Sequence, residues 1–204
     1  YMNFLIPISL NTTPEQYVRL CELRAVFAQV CNRLAPAVQA SRVWNRVTLH
    51  HLHYHSLREQ FPDLGSQMVC NAIYAVSKMA RLVYQHPKSP YNLASRGDAP
   101  LPLLRFAGNC PVYFDRHTLS IKAEQLSLFT MDGRMHFELT LAPAKRVIFE
   151  QAKLREIALK EDADHRFKLS FFLESETAVV TKRLPEAEPA KALFPDYVSV
   201  EVAQ

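Results

Sequence analysis

The sequence predicts an α+β fold, a small antiparallel β-barrel into which a three-helix bundle is inserted. Three observations predict it. Apolar residues recur at a helical period from about residue 12 to residue 85, then switch to strand-like alternation from Pro111 onward. A short apolar stretch, Asn3–Leu10, precedes the helices. Turn signals then punctuate the second half, the strongest being Asp132–Gly133, expected as a type I′ hairpin turn. A first strand that pairs with the later ones makes the helices an insertion, and five or so short strands suit a barrel of oligonucleotide-binding type.

In order along the chain, Asn3–Leu10 is the first strand. Thr13 is placed to cap a helix, with Pro14 at its first position and Gln16 as the capping-box partner. That helix is expected to end near Leu34, before Pro36. A second helix covers about Val38–Glu59 and a third Ser66–Gln85, separated by the break at Phe61–Gly65. Residues 86–104 contain four prolines and read as a linker or surface loop. Strands follow at Val112–Phe114, Thr118–Ile121, Gln125–Thr130, Met135–Leu141, Lys153–Leu159 and Phe167–Leu173. A Pro-rich stretch, Lys182–Pro195, leads to a last short strand at Tyr197–Val202. The domains expected are a β-barrel of residues 2–11 and 106–180, a helical insert of 12–85, a Pro-rich linker of 86–105 and a C-terminal extension of 181–204.

Composition narrows the function. Of the 204 residues, 49% are hydrophobic and 22% charged, which is a globular rather than a disordered balance. Only four glycines are present and no glycine-rich phosphate loop occurs. No apolar run is long enough to span a membrane. Cys21, Cys31, Cys70 and Cys110 lack CxxC spacing and read as reduced, mostly buried thiols of a cytoplasmic protein. The net charge of +4 is unevenly spread. Residues 15–85 hold eight Lys/Arg, seven of them Arg, against four Asp/Glu, whereas residues 136–204 hold ten against twelve. The positive excess therefore belongs to the helices, where arginine can fork onto phosphate or stack on bases.

The candidate site is a stripe on the third helix. Gln67, Asn71, Tyr74, Lys78 and Arg81 recur at helical spacing on one side, opposite Val69, Ala72, Ile73, Val76, Ala80 and Val83. Amide, aromatic and cationic groups in a row without a carboxylate suit a phosphate backbone with exposed bases, and equally an ordinary solvated face. Arg42, Arg46 and Arg58 on the second helix join them as nucleic-acid contacts. Trp44 reads as core. His50, His51, His53 and His55 cluster on that helix, with His51 and His55 at metal-clip spacing, but without a Glu-containing HExxH motif they read as a polar face. Glu174 and Glu176 alternate on a strand end, a spacing that general acid–base chemistry uses only inside a pocket.

Taken together, the strand ending in Leu10-x-Thr12-x-x-Glu15-Gln16, the helical block, the Leu57-Arg58-x-x-Phe61-Pro62-x-Leu64-x-Ser66-Gln67 segment, Val112-Tyr113-Phe114-Asp115-Arg116 and Asp132-Gly133-Arg134 resemble the N-terminal half of the OrfB/TnpB proteins, RNA-guided nucleases related to type V CRISPR effectors. The resemblance covers most of residues 3–175. It implies a wedge-like barrel and a helical recognition lobe that hold a structured guide-like RNA and its RNA–DNA heteroduplex, or DNA; the alternative reading is a protein–protein subunit of a larger ribonucleoprotein complex whose helical face docks a protein partner. It adds Tyr113 and Arg116 to the nucleic-acid contacts. The family's RuvC-like half, with its acidic metal ligands, would begin soon after Glu176. There the chain instead runs Ala178–Arg183 and becomes Pro-rich, and neither Asp196 nor Glu201 stands in an Asp-x-Gly context. No catalytic residue, metal or cofactor carries over. The chain reads either as a fragment or as a short protein that kept the guide-binding half.

Overall fold

A computed structural model describes residues 2–176 and 192–202. In chain order the elements are β1 (Met2–Ser9), α1 (Pro14–Ser41), α2 (Arg46–Gln60), a 3₁₀ turn at Pro62–Leu64, α3 (Ser66–Gln85), α4 (Leu93–Arg96), β2 (Leu103–Phe106), β3 (Val112–Phe114), β4 (Leu119–Lys122), β5 (Gln125–Thr130), β6 (Gly133–Glu138), α5 (Pro143–Gln151), β7 (Lys153–Glu161), β8 (Phe167–Ser175) and β9 (Val198–Glu201). The fold is mixed, with antiparallel sheets, and divides into two compact units. Among the described residues the first comprises 2–20 and 111–176, the second 21–110 and 192–202. The Pro-rich stretch expected at Lys182–Pro195 lies outside the described residues except for its last four, as does the Ala178–Arg183 run.

In the first unit, β1 pairs antiparallel with β8, Phe4 opposite Leu173 and Ile6 opposite Phe171. The first strand thus joins strands from beyond Pro111, as its pattern suggested. The sheet order is β1-β8-β7-β3, and β4-β5-β6 form a separate three-stranded sheet. Alternation drives the packing. Phe167, Leu169, Phe171 and Leu173 of β8 are buried with Phe4, Ile6 and Ile8 of β1 and Ile157 and Leu159 of β7. Full burial of each such side chain is worth about 1.5–3 kcal/mol.

The expected barrel does not form, because none of the sheets closes. Pro7, which lacks an N–H, suits β1 to an edge, and β3 is only three residues long. The type I′ geometry also sits elsewhere than expected. Lys122 pairs with Gln125, and Ala123 and Glu124 between them both have positive φ (46° and 64°). At the other hairpin Thr130 pairs with Gly133, so Met131 and Asp132 form the loop and Gly133, at φ 104°, follows it. Helix α5 carried too short a pattern to be read, since Ile148 is its one buried residue.

The capping box that opens α1 is realised: the Thr13 N–H donates to Gln16 Oε1 (3.0 Å) and the Gln16 N–H to Thr13 Oγ1 (3.2 Å). The helix start is tied to its unit by the Tyr17 hydroxyl donating to Glu161 (2.8 Å), the Tyr17 ring 5.4 Å from Phe167, and Arg19 donating to the Thr130 hydroxyl (2.6 Å).

In the second unit α1 continues through Pro36 to Ser41 rather than stopping near Leu34. Pro36 denies Asn32 its helical N–H partner, but it lies on the exposed side, and buried Leu34, Ala35 and Val38 carry the helix past it. The chain then turns at Arg42, and α2 starts at Arg46, eight residues later than expected. Asn45 caps it by accepting from the Val47 and Thr48 N–H groups at 3.0 and 3.1 Å. Trp44 is buried against Tyr84, ring centroids 5.2 Å apart, and its carbonyl accepts from the Ser77 hydroxyl (2.7 Å).

The helical region is not a plain three-helix insert, since it also holds α4 and the antiparallel pair β2–β9. Residues 101–106 are fixed rather than forming a free linker. Gln39 donates to the Leu101 carbonyl (2.8 Å), and Tyr84 to that of Pro102 (2.5 Å). The Asn32 side chain donates to the Phe106 carbonyl and accepts its N–H, both at 2.8 Å. Asn32 and Gln39 are seven residues apart, so two turns of α1 present both amides on one side.

Candidate nucleic-acid interface

Helix α3 is buried over most of its circumference, with Met68, Val69, Ala72, Ile73, Val76, Ala80 and Val83 in the core. What stays accessible is a narrow band. Gln67, Tyr74 and Lys78 are half-buried in it and Arg81 is exposed. Asn71, expected in the band, is buried at 8% exposure with its amide against the Met68 sulfur (3.7 Å). Half-buried Cys70 takes its place, because the apolar surroundings reach one residue further round the helix than the sequence pattern implied.

Helix α2 is the reverse case. Only Leu49 and Leu57 are buried. Residues 46, 50, 54 and 58 follow at i, +4, +8 and +12, so Arg46, His50, Tyr54 and Arg58 form one row. His50 stacks on Tyr54 with ring centroids 4.6 Å apart and planes 18° apart. The His55 ring stands edge-on to Tyr54 at 5.3 Å. The Arg46 guanidinium lies 5.9 Å from the centre of the Tyr74 ring, which joins the α2 row to the α3 band. Between residues 46 and 85 the only carboxylates are Glu59 and Asp63, at the end of α2 and in the turn after it. Residue spacing alone was enough to find the Arg46–His50–Tyr54–Arg58 row, since all four residues fall within the helix expected at Val38–Glu59.

The remaining sequence candidates separate. Arg42 is exposed and its guanidinium donates to the carbonyls of Gly97 (3.1 Å) and Ala99 (2.5 Å), so it fastens the loop after α4 instead of offering its charge to a partner. Arg58 is half-buried, and one of its Nη atoms is buried without an acceptor among the described residues. Tyr113 is buried at 5% exposure within β3, opposite Ala158, and therefore cannot reach nucleic acid, because both faces of β3 are covered. Arg116 is exposed in the first unit at the mouth of an apolar cleft of about 530 Å³, walled by Leu119, Ile121, Leu141, Phe149 and Ile157.

Glu174 is bound by Arg155, and neither it nor exposed Glu176 lines that cleft. Among the described residues no group of three or more His, Cys, Asp or Glu side chains could hold a metal ion, the histidines of α2 included. No described helix is long and apolar enough to cross a membrane.

None of the four cysteines is in a disulfide. Burial pushes the Cys31 thiol well up, and that of Cys110 to about 11 against the opposing charge of Arg24. Both are neutral near pH 7 and poor nucleophiles. No protein-family profile and no curated protein sequence matches the chain.

Proposed function

We propose that the chain is a non-catalytic RNA-binding module of wedge-and-recognition type, similar to the guide-binding half of a TnpB-type nuclease. It takes structured guide-like RNA, and the RNA–DNA heteroduplex such a guide forms, by backbone charge and shape rather than by groove readout. One observation carries this reading. The α2 row and the α3 band form a surface of arginine, lysine, histidine and tyrosine without a carboxylate, in which Arg46 already lies over Tyr74 and His50 already stacks on Tyr54. Rings fixed in this way cost little further entropy when a base or ribose packs on them.

A second reading, a subunit that docks another protein of a nucleoprotein complex, is favoured by Val47 and Leu52 on α2, each 59% exposed. Salt separates the two. Phosphate contacts release counterions, so affinity for a hairpin RNA, followed by fluorescence anisotropy, should fall steeply between about 50 and about 200 mM salt. A flat salt response, or no binding to RNA at low salt, would refute the RNA-binding reading.

A further inference from the structure

The outer face of the β4-β5-β6 sheet holds an aromatic ring that the first unit does not use. Along β5 and β6, Leu126, Leu128, Met135 and Phe137 are buried. Gln125, Ser127, Phe129, Arg134, His136 and Glu138 point the other way and are exposed or half-buried. Phe129 lies directly opposite Arg134, and Ser127 opposite His136. Phe129 is half-buried, and no ring or cation contact reaches it from the described residues, so the part of its ring that stays accessible stands among polar neighbours.

Arg134 is held beside it. Its Nε donates to the Ser127 hydroxyl (2.6 Å), one Nη to the Ser127 carbonyl (3.1 Å) and the other to the His117 carbonyl (3.4 Å). Of the five N–H groups of a guanidinium, two remain for a ligand, on a side chain whose rotamer is already fixed. His117 and His136 are exposed close by, and Lys122 extends the face from β4 opposite Gln125. The carboxylates near this face are few. Glu138 stands opposite Gln125, four residues along β5 from Phe129, or about 13 Å at strand rise. Asp132 is in the hairpin loop, and Asp115 is occupied by the His117 and Thr118 N–H groups and the Thr118 hydroxyl.

The structure assigns this face as a second binding surface, for unpaired nucleotides, with one base stacked on Phe129, its phosphate on Arg134, and the phosphate of a nucleotide further along the strand on Lys122. A lone ring among cations and hydroxyls is too small an apolar area to dock a protein but is the unit of which single-strand platforms are made. A duplex does not fit, because its base faces are already stacked. The inference shares the nucleic-acid reading of the helices only in the class of partner, since its residues belong to the other unit.

The test uses the whole chain and two probes, a labelled oligouridine of about twelve nucleotides and a hairpin RNA. Phe129→Ala should weaken oligouridine binding about 5- to 100-fold, by nearly the same factor at low and high salt, and leave the hairpin affinity unchanged. Arg46→Ala/Tyr74→Ala should do the opposite. Retained oligouridine affinity in Phe129→Ala, or parent protein that binds hairpin but not oligouridine, overturns this inference while the helical reading stands. Hairpin affinity unaffected by the helix variant, with oligouridine binding lost in Phe129→Ala, supports the sheet and overturns the helical assignment. Should Phe129→Ala unfold the unit, photocrosslinking of parent protein to iodouracil-substituted oligouridine replaces it. An adduct on Phe129 is expected, and adducts confined to residues 46–85 would overturn the assignment.

Discussion

Arg42 and Arg46 are four residues apart and both were expected to contact nucleic acid, yet the structure gives them different tasks, so paired variants test the assignment. Arg42 follows α1 with φ 56°, its N–H still bonded to the Val38 carbonyl (3.0 Å), and its guanidinium bridges the Gly97 and Ala99 carbonyls. Arg42→Ala removes two charge-assisted hydrogen bonds. The carbonyls are exposed and regain water, so the loss is about 1–2 kcal/mol rather than a full desolvation penalty. For a chain of this size that lowers Tm by about 2–8 °C. Arg42→Gly loses the same bonds but also the strain of a left-handed L-residue, about 1–2 kcal/mol, and should be close to neutral. Neither variant should change hairpin RNA affinity. Arg46→Ala should lower Tm by no more than about 1–4 °C, because it removes one exposed cation–π contact. It should weaken RNA binding about 5-fold and flatten the salt slope by about one unit. Thermal unfolding and anisotropy on the same samples decide the matter. If Arg42→Ala weakens RNA binding at unchanged Tm, its guanidinium faces phosphate in solution and the division of labour proposed here is wrong.

Three further predictions concern the second unit. Burial keeps Cys31 and Cys110 protonated in the folded state through the pH range where an unfolded thiol ionises. Stability should therefore be full below the ordinary thiol range and decline as pH rises toward the value of about 11 for Cys110, which urea titrations at rising pH would show. A disulfide reagent at neutral pH should accordingly modify half-buried Cys21 and Cys70 well before the other two, and equal rates for all four would contradict the burial. Asn32→Asp should cost about 2–4 kcal/mol in urea unfolding, since an acceptor would then face the Phe106 carbonyl that Nδ2 now bonds, and an unchanged midpoint would mean that residues 101–106 are not held on α1.

How much was legible follows from which signals were local. The α1 start was readable because Thr13, Pro14 and Gln16 encode it among themselves, and α3 because its apolar side is long and regular. Strand positions from β3 to β8 were readable from alternation. What failed depended on distant partners. Pro36 is a helix stop by local rule, yet the core around Leu34 and Val38 overrides it. Residues 101–106 look like linker until Asn32, Gln39 and Tyr84 reach them across long sequence separations. β2 was missed because its partner β9 is almost a hundred residues away. Tyr113 entered the site through a family pattern, whereas its burial depends on both faces of β3 being covered, which only the assembled sheet reveals.

The scarcity of glycine links these misreadings to the candidate site. The chain has four glycines, and three of them already occupy positive-φ positions. Four more left-handed positions fall to Arg42, Ala123, Glu124 and His165. Each is strained by about 1–2 kcal/mol relative to glycine, and around each of the three turns a side chain compensates. Arg42 bridges Gly97 and Ala99, Glu124 pairs with Arg146 at 2.7 Å, and the His165 ring meets Glu161 at 2.9 Å. Turns encoded by such contacts carry no glycine or asparagine signal, which is why the sequence points to Asp132–Gly133 for the type I′ turn rather than to Ala123–Glu124. The same logic sorts the arginines. In Arg42 the guanidinium donors that bridge the two carbonyls hold a strained turn, so drawing them away to a phosphate would loosen that turn. Arg46 and Arg81 lie on the helices and close no turn, so within the second unit they, rather than Arg42, are the arginines that suit the proposed RNA surface, and Arg42 belongs to the scaffold.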